Sequence, residues 1–510
     1  MIKSACLYIM STNIIKSAVK FFMIYHLEQI VPYILPVLMW ILTISITLRI
    51  AVRRLSVSTT LSWLMIIYLV PVVGILAYLI FGEVKLGSRR AASFRRLQPK
   101  FSQWFNDFSR CTNLIQSQNE LKYRALFELT QKQLNIPCVL GNELHILDNA
   151  DDNIIKNIIQ DIQNARYSIN MVFYIWSSGG LVEQVHAALL EAKQRGVNIK
   201  ILLDSVGSRR FLKSKDCKKL TQAGIEITET LHVNLVRLFL SRIDLRQHRK
   251  IIVIDNQIAY TGSMNMVDPN IFKQSSQVGK WVDIMVRING PVSPILNSLH
   301  AWDWEIETNH SLALELPTCP LLPIENNNSH AVQVIATGPG FPDDLMVQSL
   351  LLAIFSAQEN ITITSPYFVP SHTIAEALRI AALRGVEVNI ILPKKNDSLM
   401  VGWASRTFFE DLLMAGVKIH QFYGGLLHTK SILIDNHLSL VGTVNMDLRS
   451  FLLNFEVTIV VEDRAFANEV SLLQENYINN SVPLHCPDWK NRPVYQRIIE
   501  RLFFLFSPLL

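Results

Sequence analysis

The stretch "LLHTKSILIDNHLSLVGTVNMD", residues 426–447, decides how the chain is read. His428 and Lys430 stand two apart at the head of an apolar run with the composition of a buried strand. Side chains alternate along a strand, so both fall on one face. A core face has little use for two cationic groups unless they do chemistry. Upstream, "LRQHRKIIVIDNQIAYTGSMNMVD", residues 245–268, has the same layout around His248 and Lys250. His428 follows His248 by 180 positions (428 − 248), and that offset carries Lys250 to Lys430, Asp255 to Asp435, Ser263 to Thr443 and Asn265 to Asn445.

The repeat extends outward from these strands. "NARYSINMVFYIWSS" (164–178) parallels "AQENITITSPYFVPS" (357–371), and "LTQAGIEI" (220–227) parallels "LLMAGVKI" (412–419). Each half reads as strand, helix, strand, helix, strand and then a hairpin, which predicts α/β halves with helices packed on a sheet. The expected division is an N-terminal segment over 1–88, a charged helical connector over 89–135, a first half over 136–318 and a second over 319–510. The junction falls in the Pro- and Asn-rich "LELPTCPLLPIENNNSHAV", residues 314–332.

An Asp-Asn pair closes each motif strand, and a second β run follows at once. With Asn256-Gln257 and Asn436-His437 as the central turn residues, Lys250 faces Ser263 and His248 faces Asn265. Lys430 then faces Thr443, and His428 faces Asn445. Asp255 and Asp435 fall on the opposite strand parity beside the turns, where they read as turn-stabilising. One histidine on an apolar strand is ordinarily a core residue. A whole spacing repeated twice favours function.

Two such clusters brought together offer two imidazoles, two ammonium groups and several neutral donors, which suit a phosphodiester. Lysines and neutral donors stabilise charge gathering on the non-bridging oxygens. One neutral histidine can attack phosphorus while the other, protonated, serves the leaving alcohol. Glu456 in "NFEV" and Asp283 in "WVDI" are the candidates to orient the rings. The lack of a dense carboxylate cluster points away from metal-dependent phosphodiesterases. Six scattered cysteines without a CxxC pair read as reduced thiols rather than disulfides or a zinc site.

Mean hydropathy is +0.25 and net charge +6. The apolar excess gathers in residues 30–48 and 61–81, two runs without a charged residue, each long enough to cross a hydrocarbon core of about 30 Å. Arg49, Arg53 and Arg54 lie between them; Lys16, Lys20, Lys85, Arg89, Arg90, Arg95 and Arg96 lie on the other side. That balance predicts a transmembrane hairpin with the N-terminus and everything after Phe81 in the cytoplasm. Residues 1–22 read as an interfacial helix or as an extension ahead of a start at Met23. "VNLVRLFLSRIDLR" (233–246) reads equally as a headgroup contact or as an amphipathic element packed on its domain.

"HRKIIVID" and "HTKSILID", each followed by "GSMN" or "GTVN", resemble the paired HxKx4D motifs of the phospholipase D superfamily. The resemblance implies two α/β halves with pseudo-two-fold symmetry and one active site between them. It implies a two-step phosphatidyl transfer through a phosphohistidine, with no metal and no cofactor. Carried over, the catalytic residues are His248, Lys250, Asp255, His428, Lys430 and Asp435, and either histidine can be the nucleophile. Ser263, Asn265, Thr443 and Asn445 would bind phosphate, and Glu456 and Asp283 would orient the histidines. Asp283 follows its asparagine by 18 positions and Glu456 by 11, so the two carboxylates are not matched in spacing.

From about residue 30 the chain is similar to the membrane-anchored bacterial cardiolipin synthase family. "GEVKLGSRR", "TGPGFPDD", "NDSLMVGWASR" and the closing "RLFFLFSPLL" carry that likeness. It implies attack by one phosphatidylglycerol on another, giving cardiolipin and glycerol. The implied partners are phosphatidylglycerol and anionic membrane lipid rather than nucleic acid. The implied location is the bacterial cytoplasmic (inner) membrane, multi-pass, with the catalytic part facing the cytoplasm. A membrane site has a physical reason: acyl chains are costly to lift into water. A hydrolytic phospholipase D, or another phosphatidyltransferase of the superfamily, is the alternative. A nuclease would be more basic and would not need the hairpin, and a non-catalytic scaffold would tend to lose a motif residue.

Overall fold

The computed structural model describes residues 33–34, 36–53, 57–83, 86–111, 121–232, 242, 244–312 and 330–505. Residues 1–22, nearly all of the 314–332 junction, most of the 233–246 stretch and the last five residues of "RLFFLFSPLL" lie outside them. The chain divides into two compact units: Met1–Lys85 with Val236–Arg242, and Leu86–Leu235 with Ile243–Leu510.

The larger unit is organised by one mixed sheet. Its first half supplies β1 (Val139–Asp148), β2 (Ser168–Phe173), β3 (Asn198–Asp204), β4 (Glu226–Thr230), β5 (Arg246–Gln247), β6 (Ile251–Ile254), β7 (Ile258–Gly262), β8 (Trp281–Val282) and β9 (Ile284–Asn289). The second half supplies β10 (His330–Thr337), β11 (Asn360–Thr364), β12 (Phe368–Val369), β13 (Glu387–Pro393), β14 (Lys418–Phe422), β15 (Leu426–Leu427), β16 (Ser431–Ile434), β17 (Leu438–Gly442), β18 (Met446–Asp447), β19 (Asn454–Glu462) and β20 (Ser481–Pro483).

Strands β1 and β10 pair antiparallel, with Val139 opposite Val332, and join the halves. Outward from that join the order is β1-β9-β7-β6-β2-β3-β4 on one side and β10-β19-β17-β16-β11-β13-β14-β20 on the other. Both arms therefore run through a long strand, a return strand, the motif hairpin and three parallel strands. Every residue of "IIVI" in β6 and "SILI" in β16 is buried. That is the pattern of strands covered on both faces. The two α/β halves expected from the repeat are thus two arms of one sheet.

The 24-residue helix Ser88–Cys111, expected as part of a connector, is packed into the core rather than held as a spacer. Its Phe94 and Phe101 rings lie 4.9 and 4.4 Å from Trp302.

The motif hairpins differ from expectation by one residue. Ile254 pairs with Ile258 and Ile434 with Leu438, so each turn holds three residues instead of two. Asp255 and Asn256 adopt φ of 52° and 57°, and Asp435 and Asn436 adopt 51° and 47°. Asp and Asn tolerate that left-handed region better than other side chains. The shift cancels the expected facing of Lys250 with Ser263 and of Lys430 with Thr443.

In the smaller unit, the second apolar run is two helices, Val57–Leu69 and Pro71–Phe81. Proline has no amide to donate, and it drives the preceding residue out of helical geometry; Val70 has φ −136° and ψ 76°. The two helices approach closely at Gly74, where a Cβ would stand 2.6 Å from Ile67 Cα. Arg49 consequently meets Glu83, at 2.6 Å from Nε to Oε1, and Arg53 joins it at 3.1 Å. These cations hold the Glu83 carboxyl down at about 2, against its burial. The ends expected on opposite faces of a bilayer thus lie side by side. Among the described residues no helix is long and apolar enough to cross a membrane.

Candidate active site

Each motif leaves its own arm to meet the other. β5 pairs in parallel with the start of β19, placing Arg246 beside Asn454 and Gln247 beside Phe455. The His248 amide then donates to the Phe455 carbonyl at 3.0 Å, one residue before Glu456. β15 pairs likewise with β8, and the His428 amide donates to the Val282 carbonyl at 2.8 Å, one residue before Asp283. The carboxylates and histidines are therefore crossed. His248 Nδ1 lies 2.9 Å from both Glu456 oxygens, and His428 Nδ1 lies 2.6 Å from Asp283 Oδ1. An ionised carboxylate only accepts, so Nδ1 of each ring carries the proton. Nε2 is then the nitrogen available for reaction.

Ser263 and Thr443, expected at the phosphate, brace the carboxylates instead. Ser263 Oγ donates to Asp283 Oδ1 at 2.7 Å and accepts the Ile284 amide at 2.9 Å. Thr443 Oγ1 donates to Glu456 Oε2 and accepts the Val457 amide at 3.0 Å. The hydroxyl proton of each is spent within the protein. The glycine before each hydroxyl permits this approach. A Cβ on Gly262 would stand 2.4 Å from the Ile284 carbonyl oxygen, and one on Gly442 would stand 2.3 Å from that of Val457.

Lys250 Nζ donates to the His248 carbonyl at 2.8 Å, and Lys430 Nζ to the His428 carbonyl at 2.6 Å. Both lysines and both histidines are buried. Asn265 accepts the Ile175 amide at 3.0 Å, whereas Asn445 donates to Ser450 Oγ at 3.2 Å and keeps a buried Oδ1 without a partner.

Burial sets the electrostatics. It pushes both imidazoles down to about 4, against the pull of Glu456 on His248 and of Asp283 on His428. Both rings are neutral near pH 7. Burial also lowers Lys430 to about 8 and holds Lys250 well below its ordinary value, and the charge of Lys430 adds to the depression of Lys250. Burial alone would raise Glu456 and Asp283, but the facing histidines and lysines hold both below their ordinary values.

Asp255 and Asp435 are not brought to this cluster. Asp255 accepts the amides of Arg166, Tyr167 and Ser168 at 2.7 to 2.8 Å. Asp435 accepts the Glu359 amide at 2.8 Å and the Tyr123 hydroxyl at 3.0 Å. Each ties its hairpin turn to the start of the neighbouring parallel strand. At about 3.3 Å per residue, each lies on the order of 20 Å along the strand from its histidine. The catalytic role carried over from the motif is corrected to a structural one, because the carboxylates are spent on backbone amides at the far end of the strand.

Other residues of the site had no signal in the pattern. Arg249, fully buried behind His248, donates to Asp303 at 2.7 Å and to the Glu456 carbonyl at 3.2 Å. Its counterpart Thr429 approaches the Tyr477 hydroxyl at 3.1 Å, so the repeat hides the position. The Tyr174 ring lies 5.1 Å from His248 and the Trp281 ring 4.6 Å from His428. Asn149 accepts the Asp283 amide and Asn454 donates to Glu456 at 3.1 Å. Among the described residues, one group has metal-ligand spacing, Glu183 with His186 and Asp216. His186 Nε2 accepts the Trp176 indole N–H at 2.9 Å, which fits a packed histidine whose Nδ1–H faces the acids.

Comparison with known proteins adds the chemistry's context. A family profile described as "Cardiolipin synthase, PLD-like domain" matches residues 158–283 and 350–476. Another, described as the N-terminal segment of the phospholipase D-nuclease kind, matches 37–83. A protein named Cardiolipin synthase A from Edwardsiella ictaluri is 50% identical over 471 residues, covering 92% of this chain and 97% of that protein. One of the same name from Citrobacter koseri has the same identity and coverage. The crystal structure of a phosphatidylserine synthase from Haemophilus influenzae aligns with a TM-score of 0.52 at 15% identity, over 75% of this chain and 97% of that one. At that identity the likeness concerns the fold alone.

Proposed function

The chain belongs to the cardiolipin synthases built from paired phospholipase D-like domains, and we propose that its crossed half-sites move a phosphatidyl group from one phosphatidylglycerol to another. It is a phosphatidyltransferase, and its product is cardiolipin. The observation that carries the mechanism is the crossed pairing: each half supplies a histidine that the other half's carboxylate holds by Nδ1.

In the first step a neutral Nε2 attacks the phosphorus of the donor lipid. The bond from phosphorus to the oxygen of the unacylated headgroup glycerol breaks, and the second histidine gives that oxygen its proton as glycerol leaves. Entry of the anionic phosphate favours the charged imidazolium, so substrate binding raises the acid's pKa from its value in the empty site. In the second step the terminal hydroxyl of another phosphatidylglycerol attacks the phosphohistidine. Its proton returns to the second histidine, and the P–N bond breaks. Lys250 and Lys430, each with three N–H donors and one given to a carbonyl, hold the non-bridging oxygens with Asn265 and Asn445. Glu456 and Asp283 keep the rings aligned and stabilise the imidazolium.

Donor lipid labelled in its phosphate provides the test. Acid-labile, base-stable label should remain on the protein after a rapid quench, without added metal or nucleotide. No label under conditions of active turnover would overturn the covalent step.

The same reading anchors the enzyme in the bacterial inner membrane through residues 30–81, with the catalytic unit on the cytoplasmic side. Trp40, Ile41, Leu48, Leu61, Met65, Leu69 and Val73 are each at least 57% exposed, an apolar surface that lipid would cover. Alkaline extraction should leave the full chain in the membrane pellet, and protease should reach the catalytic unit only from the cytoplasmic face. Release into the supernatant, or cleavage from the outer face, would contradict the anchor or its orientation.

A further inference from the structure

The helix Val494–Phe504 has two unlike faces. Its inner face is fixed to the helix Leu399–Met414 and to the loop before it. Glu500 is buried and takes Arg492 at 2.9 Å, and its carbonyl accepts the Thr407 hydroxyl at 3.3 Å. The Phe504 ring meets that of Phe408 at 5.3 Å. The outer face carries Val494, Tyr495, Ile498, Leu502 and the capping Leu505, each at least 54% exposed. At 3.6 residues per turn these positions fall within an arc of about 100°. A continuous apolar stripe on a surface marks contact with a partner or a membrane.

Charge decides between the two. Arg497 and Arg501 lie along one edge of the stripe, and Arg497 donates to the Lys490 carbonyl. Glu500 is the one acid of this helix, and it is spent inward on Arg492. The adjoining helix Cys486–Lys490 adds one acid and one base, Asp488 and Lys490. The outer face is therefore apolar with a cationic border, the composition of a helix that lies in the interface of an anionic leaflet. Its 11 residues, about 16 Å long, can lie along a membrane and cannot cross one.

Its place beside the catalytic crevice gives the contact a use. Phe503 and Phe504 pack with Tyr367 against Val369, Val401 and Ala404. Val369 pairs in parallel with Asp447, two residues beyond Asn445 of the catalytic cluster. One strand and one layer of side chains thus separate the helix from the segment that carries Asn445. Phosphatidylglycerol has its acyl chains in the leaflet, and lifting them into water is costly. A crevice whose rim lies on the leaflet receives headgroups with their chains left in place. We propose that the helix Val494–Phe504 is an interfacial docking element: its apolar stripe enters the anionic leaflet, its arginines meet lipid phosphates, and the rim of the active site is set at headgroup level. This contact is separate from the anchor in residues 30–81. It rests on the transfer reading only in taking a membrane lipid as the substrate.

Full-length enzyme in vesicles of phosphatidylglycerol and phosphatidylcholine provides the test. Ile498→Cys and Leu502→Cys are each labelled with bimane, and the signal from native cysteines is subtracted. Lipids brominated on their acyl chains should quench these labels about threefold more than a label at Tyr167→Cys, which is exposed beside the Asp255 turn. High salt should weaken the quenching, because it screens the arginines. Ile498→Asp should lower the ratio of cardiolipin made in vesicles to that made in detergent micelles about tenfold, the scale of one buried aliphatic side chain. Tyr167→Asp should leave that ratio alone. Quenching at positions 498 and 502 no greater than at 167 would overturn the proposal. So would quenching between labels on two copies with none from brominated lipid, which would make the stripe a contact between copies. Wild-type enzyme that consumes phosphatidylglycerol without making cardiolipin would instead sink the transfer reading, and the quenching comparison would still stand on its own.

Discussion

Glu456 holds His248 with a carboxylate that also accepts from Thr443 and Asn454, whereas Asp283 holds His428 with Ser263 as its other side-chain donor. The two carboxylates also arrive differently. From Asn445 the chain turns through the short helix Leu448–Leu452 directly into β19. From Asn265 it runs through a longer segment containing the turn Gln274–Ser276 before β8. Yet both carboxylates end one residue beyond a parallel pairing with the opposite motif. The comparison teaches that a carboxylate at the far ring's Nδ1 is what the site preserves, and the sequence distance to it is free to vary.

The largest effects should break both sides alike. His248→Ala and His428→Ala should each lower phosphatidyl transfer by about 10⁴-fold or more, as expected for groups acting as one unit. Substantial turnover by either variant would mean that the halves work independently. Next, Glu456→Gln and Asp283→Asn should each cost roughly 100-fold in kcat, with KM changed far less. A loss confined to KM would make them substrate-binding groups instead of positioning residues.

The unequal bracing gives a finer contrast. Among the described residues, Ser263→Ala removes the one other side-chain donor to Asp283, while Thr443→Ala leaves Asn454 on Glu456. Ser263→Ala should therefore reduce kcat by about tenfold and Thr443→Ala by only a few-fold, the range of one lost buried hydrogen bond. The reverse ranking would show that the extra donor does not matter.

The pH profile tests what the sides share. As pH falls through about 4 the neutral imidazoles gain protons and the nucleophile is lost. As pH rises through about 8 Lys430 loses the charge that steadies the phosphate. kcat/KM, which reports the free enzyme, should therefore be greatest near pH 4 and fall steadily above it, because the acid histidine must take its proton from solvent; a maximum near the ordinary histidine value of about 6.5 would contradict the burial argument. The smallest effect on chemistry belongs to Asp255→Asn, which should lower stability by about 1–3 kcal/mol through its three amide partners while leaving the kcat of folded enzyme intact.

Much of this was legible in the sequence because the repeat doubled every signal. The spacing from His248 to Asn265 and from His428 to Asn445 marked the motif strands and the hairpins, and the strand parity set Asp255 and Asp435 apart. Register was missed by one residue, since Asp-Asn turns of two and three residues look alike until the backbone is seen. Ser263 and Thr443 were misplaced for the same reason: hydroxyls expected to line the hairpin reach sideways to the carboxylates on the neighbouring segment. Arg249 stayed hidden because its counterpart, Thr429, is a residue of another kind, and a reading built on repetition passes over what occurs once. The interruption at Val70 was obscured by Pro71, which a membrane helix can tolerate or break upon.

Product analysis tests the central claim most directly. Full-length enzyme in vesicles of phosphatidylglycerol alone, without metal or nucleotide, should yield cardiolipin and glycerol in equal amounts. Phosphatidic acid as the main product would contradict it, because water rather than a second lipid would then be the acceptor.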